Sequence, residues 1–227
     1  MKAMILAAGL GKRMRPLTDT LPKPLLPVGG KPLLVYHLER LRERGVTEFI
    51  INTAYLGKKI EAVLGDGSAY GVSIQYSREQ QPLETGGGLL HALPLLGEEP
   101  FLLVNGDIWT DYPFERLLDM QLPDHHLGHL VLVPNPRHHQ QGDFALHDGL
   151  LLPSTEGDQG FTFSGISLLR PQLIGGYSER RPKFPLREAL AEGMTLNQLH
   201  GEIYPGQWWD VGTPERLQEL DVLLSSR

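Results

Sequence analysis

Apolar positions in the first half of the chain fall into short unbroken runs, separated by segments whose apolar residues recur every three or four positions. That is the alternation of buried strands with amphipathic helices. The runs at 2–8, 47–53, 72–77 and 100–105 predict strands, and the periodic segments at 32–44, 58–64 and 86–96 predict helices. Strand, helix and strand repeated in this way build a parallel sheet with right-handed crossovers and helices on both faces. Ligands of such sheets bind at the carboxyl ends of the strands, which directs attention to the loops after residues 8, 53, 77 and 105. The second half is less regular. A strand at 129–133 ends at Pro134-Asn135-Pro136, short glycine-punctuated strands follow to about residue 169, and helical patterns occupy 184–192 and 214–224. The fold class is therefore α/β, a mostly parallel sheet flanked by helices with a smaller mixed β part. No repeat, low-complexity tract or linker interrupts 1–227, so a single domain with halves 1–112 and 113–227 is expected.

Composition narrows the functions that such a sheet can serve. The 227 residues, 41% of them hydrophobic, can bury a full core. Without cysteine there is no disulfide framework, thiolate metal site or thiol nucleophile, which fits a reducing compartment. The apolar run Met4-Ile5-Leu6-Ala7-Ala8 is too short for a signal peptide and is followed at once by Lys12, Arg13 and Arg15, the wrong charge order for export. No stretch approaches the ~20 apolar residues that span a bilayer, and a soluble, cytoplasmic protein is expected. The net charge of −6 disfavours a nucleic-acid binder, which needs a broad positive field. Positive charge is concentrated instead between Lys12 and Lys31, where five cations face Asp19 alone. A local basic pocket in an acidic protein suits a compact polyphosphate.

The candidate pocket begins directly after the first strand, at Gly9-Leu10-Gly11-Lys12-Arg13. Glycines there let backbone N–H groups approach phosphate oxygens, and the cations neutralise what the amides hold. Spacing excludes two alternatives: the dinucleotide fingerprint requires a third Gly where Met14 stands, and the P-loop requires Gly-Lys-Ser/Thr after four intervening residues. Lys23 is held between Pro22 and Pro24, which fix its backbone.

Leu6-Ala7-Ala8-Gly9-Leu10-Gly11-Lys12-Arg13-Met14-Arg15-Pro16-Leu17-Thr18, followed by Pro22-Lys23-Pro24-Leu25, resembles the signature of the nucleoside-diphosphate-sugar pyrophosphorylases. The resemblance implies a Rossmann-like sheet of the nucleotide-diphospho-sugar transferase fold, with a nucleotide-binding first half and a sugar-binding second half. It implies Arg13 and Lys23 as catalytic cations, Gly11, Lys12 and Arg13 around the triphosphate, and Lys23 on the α-phosphate.

Two aspartates supply the other charge. Asp107 ends the apolar run Phe101–Asn105 at the ligand-binding edge of a parallel sheet, and Asp210 follows Trp208-Trp209 just before the last helix. Mg²⁺ takes one or two carboxylates together with phosphate oxygens and water, so two Asp from separated segments suit it. The resemblance implies that Asp107, in Gly-Asp, and Asp210, in Asp-Val-Gly-Thr-Pro, bind the metal. The aromatics before Asp210 read as core.

Ser77–Gly88 follows a strand and runs into a helix whose free N–H groups and three glycines permit close backbone approach to a flat base. The resemblance implies nucleotide contacts from Gln80, Glu84, Thr85, Gly86 and Gly87, with Ala8, Gly9 and Asn105. It implies sugar contacts from Asn105, Gly142, Asp143, Glu156, Ser164 and Gly165. Many relatives carry Glu-Lys-Pro where this chain has Glu156-Gly157-Asp158. That departure leaves the sugar-phosphate cation to be supplied elsewhere, by Lys183 or Arg137.

Glu84–Gly88, Asn105–Tyr112 and Phe161–Ile166 are most similar to the family's uridylyltransferases of bacterial cell-wall recycling. This implies UTP, or another nucleoside triphosphate, and the sugar 1-phosphate N-acetylmuramate α-1-phosphate as partners. Mannose-1-phosphate guanylyl transfer and a heptose-phosphate substrate stay open, as does a non-catalytic nucleotide-sugar sensor. Retention of Arg13, Lys23, Asp107 and Asp210 together argues against the sensor. His125, His126, His129, His138 and His139 read as solvated loop residues rather than a metal site.

Overall fold

A computed structural model describes residues 1–154 and 160–226. The first half contains β1 (Lys2–Leu6), the paired β2 (Pro27–Val28) and β3 (Lys31–Pro32), α1 (Leu33–Glu43), β4 (Glu48–Thr53) and α2 (Gly57–Leu64). It continues with β5 (Ser73–Arg78), α3 (Glu84–Leu96), β6 (Phe101–Asn105) and β7 (Ile108–Thr110). The second half adds α4 (Glu115–Leu118), β8 (Gly128–Val133), β9 (Phe144–His147), β10 (Leu150–Pro153), β11 (Thr162–Leu169) and α5 (Gln172–Gly175). It closes with α6 (Leu186–Thr195), β12 (Leu199–Ile203), β13 (Trp208–Asp210) and α7 (Pro214–Ser225).

Nine strands form one sheet in the order β5-β4-β1-β6-β11-β8-β12-β10-β9. The first four run parallel, and Leu6 lies in register with Asn52 on one side and Asn105 on the other. The sheet becomes mixed where β11 pairs antiparallel with both β6 and β8. Alternation along β1 assigns its side chains to two cores. Ala3 and Ile5 pack with α1 and α2, whereas Met4 packs with α3, α5 and α6 on the opposite face. A third cluster joins Met14, Val28, Trp109 and Val211 to Leu220 of α7.

The predicted elements are present, with ends that coincide or shift by at most three residues. β1 stops at Leu6, short of residue 8, because the Ala7 N–H leaves the sheet ladder for the side chain of Asn52. β12 escaped the pattern: it is five residues long with Gly201 at its centre. α7 starts as its sequence requires, with Pro214 in the first turn and the Thr213 hydroxyl accepting from the Arg216 N–H. That cap fixes the chain immediately after Asp210.

Candidate active site

Two cavities open at the carboxyl edge of β1, β4 and β6. The first, about 430 Å³, is walled by Ala7, Ala8 and Gly9 on one side and by Pro82, Glu84 and Thr85 on the other. The second, about 350 Å³, lies between the end of β6 and the second half of the sheet. Asn105 and Asp107 line both. The two spaces therefore meet at the tip of β6.

The tip is built by close backbone approach. The Gly106 N–H donates to Leu6 O at 2.9 Å, and a Cβ at Gly106 would lie 2.8 Å from that same oxygen. Glycine thus allows the chain to turn against β1 and present Asp107 to the cavities. From the other side, Leu25 N and Leu26 N donate to Pro22 O and Lys23 O, closing the tight turn that aims Lys23 inward. Lys23 Nζ lies 2.5 Å from Asp107 Oδ2, its stem almost buried.

Asp210 reaches the same place through the β7–β13 ribbon, where it stands opposite Ile108 and the Val211 N–H donates to Asp107 O at 2.9 Å. Its Oδ1 is 3.0 Å from His138 Nε2, and its Oδ2 accepts from the Arg216 guanidinium. Asp107 and Asp210 both line the second cavity. Among the described residues no group of three or more metal-type side chains forms a cage. A pair of hard carboxylate oxygens fits Mg²⁺, whose remaining positions go to water and substrate phosphate.

His37, on α1 beneath this ribbon, donates its Nε2–H to Ile108 O at 2.9 Å. Its complete burial pushes the imidazole pKa down to about 4, so the ring is neutral and holds β7 from below.

The base-loop glycines are used differently from the expectation. The N–H groups of Gly86 and Gly87 both donate to Phe184 O, at 2.9 and 3.0 Å. An added Cβ would meet the Phe184 ring at 2.4 Å from Gly86, and Pro182 O at 2.4 Å from Gly87. These amides are thus not the free donors that the helix start suggested. They seat the segment 182–184 against α3 and bring Lys183 to the wall of the first cavity. Glu84 and Thr85 line that wall, whereas Gln80 is exposed and contributes no lining.

In the glycine turn after β1, Ala8 and Gly9 line the first cavity and Arg13 the second. Gly11 takes a left-handed conformation, φ 60°, and its carbonyl accepts from the Thr18 hydroxyl, while Lys12 beside it is exposed.

In the second cavity, Asp143 Oδ2 accepts from the Phe163 N–H at 2.8 Å and its Oδ1 lies 3.1 Å from His139 Nε2. The Ser164 hydroxyl faces the second cavity but donates to Val131 O, and it accepts from the Ile166 N–H across a bulge in β11. Its hydrogen bonds stabilise that bulge. Gly165, at φ 81°, clears the Asn105 side chain, which a Cβ would approach to 2.5 Å. Gly142, at φ 69°, passes just as closely to the backbone at Gly160. Glu156 lies outside the described residues.

Several site residues were missed by sequence reasoning. His138 and His139 are not idle loop residues: each meets a site aspartate, placed by the turn that follows Pro136. Arg216 clamps Asp210 from α7. Trp208 and Trp209 both pack against core as expected, Trp208 on the first cluster and Trp209 on the third, and Trp208 also donates its Nε1–H to Ser164 O at 2.8 Å and lines the second cavity. Of the two cations considered for the sugar phosphate, Lys183 faces a cavity and Arg137 faces neither.

The family model described as Nucleotidyl transferase matches residues 2–143. An N-acetylmuramate alpha-1-phosphate uridylyltransferase of Neisseria meningitidis serogroup B is 52% identical over 227 residues, 98% of each chain. A mannose-1-phosphate guanyltransferase of Aspergillus fumigatus is 33% identical over 95% of this chain but only 62% of its own length. Among solved structures, HddC from Yersinia pseudotuberculosis has the same fold, with a TM-score of 0.81, 22% identity and 98% of both chains covered.

Proposed function

The chain belongs to the nucleotidyl transferase family, and on that premise we propose that it transfers UMP from UTP to N-acetylmuramate α-1-phosphate, giving the UDP-sugar and pyrophosphate in cell-wall recycling. The observation that carries the reading is the meeting of two cavities at Asn105 and Asp107, with Lys23 on one side and Asp210 on the other. One cavity takes the nucleotide, walled by residues 7–9 and 82–85. The other takes the sugar, beside Asp143, Ser164 and Trp208.

A sugar 1-phosphate oxygen is already anionic at neutral pH, so no general base is required. That oxygen attacks the α-phosphorus of the triphosphate in line, the new P–O bond forms, and the bond to the β-phosphate breaks to release pyrophosphate. The barrier is the approach of two anions and the charge that grows on the leaving group. Lys23, rigid between its prolines, places an ammonium at the junction where the phosphates meet. Arg13 brings a second cation from the phosphate turn, and Lys183 a third from the wall of the nucleotide cavity. Asp107 and Asp210 would hold Mg²⁺, which when bound neutralises phosphate charge and aligns the reacting oxygens. None of the described helices is long and apolar enough to cross a membrane. We place the protein in the cytoplasm, where UTP is made.

The test is pyrophosphate release by the purified protein with Mg²⁺ and a matrix of UTP, GTP, CTP and dTTP against N-acetylmuramate, mannose and heptose 1-phosphates. Turnover should be greatest with UTP and N-acetylmuramate α-1-phosphate. Preference for GTP with mannose 1-phosphate would refute the substrate assignment, and no release from any pair would leave only a binding protein.

A further inference from the structure

Asn52 and Glu79 take no part in the chemistry above, yet both line the nucleotide cavity while only 2% and 7% exposed. They form a hydrogen-bonded chain. The Ala7 N–H donates to Asn52 Oδ1 at 2.8 Å, Asn52 Nδ2 donates to Glu79 Oε1 at 2.7 Å, and the Leu83 N–H donates to Glu79 Oε2 at 2.9 Å. The chain starts beside Ala8-Gly9 at the phosphate end of the cavity and finishes beside Glu84-Thr85 at the base end.

Two features mark this chain as more than a fastening between β4 and β5. Burying a carboxylate without a cation is costly, and Glu79 has no ion-pair partner within 4.0 Å among the described residues. Apolar side chains would join two parallel strands without that cost. The surroundings also leave room for it: a Cβ at Gly88 would come within 2.7 Å of Glu79 Oε1 and 2.8 Å of Asn52 Nδ2. The third glycine of the base loop therefore accommodates the carboxylate.

We propose that Asn52 and Glu79 are positioning residues whose hydrogen bonds fix the distance between the phosphate turn and the base loop, and so set affinity for the nucleoside triphosphate and discrimination between bases. This rests on reading the first cavity as the triphosphate site. The three links use one amide and one carboxylate with complementary donors and acceptors. An amide at position 79 cannot accept from both Asn52 and Leu83, so Glu79→Gln sets two donors face to face. Asn52→Asp sets two carboxylates face to face. Combining the two substitutions restores the match at unchanged net charge. The carboxylate introduced at position 52 accepts from the Ala7 N–H and from the amide introduced at position 79, and the oxygen of that amide accepts from the Leu83 N–H.

The experiment measures KM for UTP and for the sugar 1-phosphate, together with the UTP-to-CTP ratio of kcat/KM, in the parent, both single variants and the double variant. Each single variant should raise KM for UTP by at least about tenfold and flatten the base preference, with KM for the sugar 1-phosphate within about twofold. The double variant should return KM for UTP to within about threefold of the parent. Unchanged KM for UTP in folded single variants, equal loss toward both substrates, or a double variant no better than the single variants overturns the proposal. If a single variant does not fold, the double variant decides: near-parental KM supports the proposal and a tenfold rise overturns it. A parent that releases no pyrophosphate from any triphosphate defeats the functional reading instead, before any variant is made.

Discussion

The ammonium of Lys23 and the carboxylate of Asp107, 84 residues apart in sequence, meet at 2.5 Å where the two cavities at the tip of β6 join. On the proposed function, this pair holds opposite charge at the point where the two phosphates come together. Lys23→Ala should lower kcat by at least about a hundredfold, the scale of a lost charge-stabilising donor. Steady-state pyrophosphate release checks it, and near-normal turnover in a folded variant would remove Lys23 from the mechanism.

Asp210 is held by His138 and Arg216, which fix the position of its carboxylate. Chelation with EDTA should abolish turnover, and added Mg²⁺ should restore it. Asp210→Asn should reduce kcat by about a hundredfold or more and shift half-activation to higher Mg²⁺. A Mg²⁺ titration of the variant that overlays the parent curve would take the metal away from Asp210.

Gly86 has no space for a side chain, since its Cβ would meet the Phe184 ring at 2.4 Å. Gly86→Ala should therefore destabilise the protein by about 1–3 kcal/mol, the usual cost of overpacking. Gly175→Ala, whose Cβ would meet Leu93 only at 3.5 Å, is the control. Urea unfolding of both variants provides the comparison.

His37 is neutral in the folded protein because burial pushes its pKa down to about 4. The unfolded chain takes up that proton near pH 6.5, so the stability contributed by His37 is complete above about 6.5 and is lost as pH falls towards 4. At pH 5.5 the loss is on the order of 1 kcal/mol. The partly buried His126, His129 and His200 are shifted in the same direction, mainly by desolvation and also by neighbouring imidazoles, and add to it. Melting temperature should fall between pH 7.5 and 5.5, and His37→Gln should narrow that fall. An equal fall in the variant would show that His37 does not titrate in this window.

Much of the molecule is legible in the order of residues because strands, helices and tight turns are set by local contacts. Phe101–Asn105 announces a buried strand, and the acid two residues beyond its end must then lie at the sheet's ligand edge. Pro22-Lys23-Pro24 likewise declares a fixed lysine. The Gly86–Gly88 run was legible as a need for close approach, but its partner was not. Phe184 is nearly a hundred positions away, and a glycine records only that something comes near, not what.

The sequence alone determined the parallel half of the sheet, the phosphate turn and the two aspartates, since periodicity, glycine and proline constrain the backbone within a few residues of themselves. Only the tertiary structure decided that His138 and Arg216 hold Asp210, that Gly86 and Gly87 serve Phe184, and that Asn52 and Glu79 bridge the two walls of the first cavity. These contacts join residues from 6 to almost 100 positions apart, and most depend on which strands become neighbours. A hydrogen bond or ion pair forms wherever folding brings two complementary groups within about 3 Å, and no local pattern encodes that meeting.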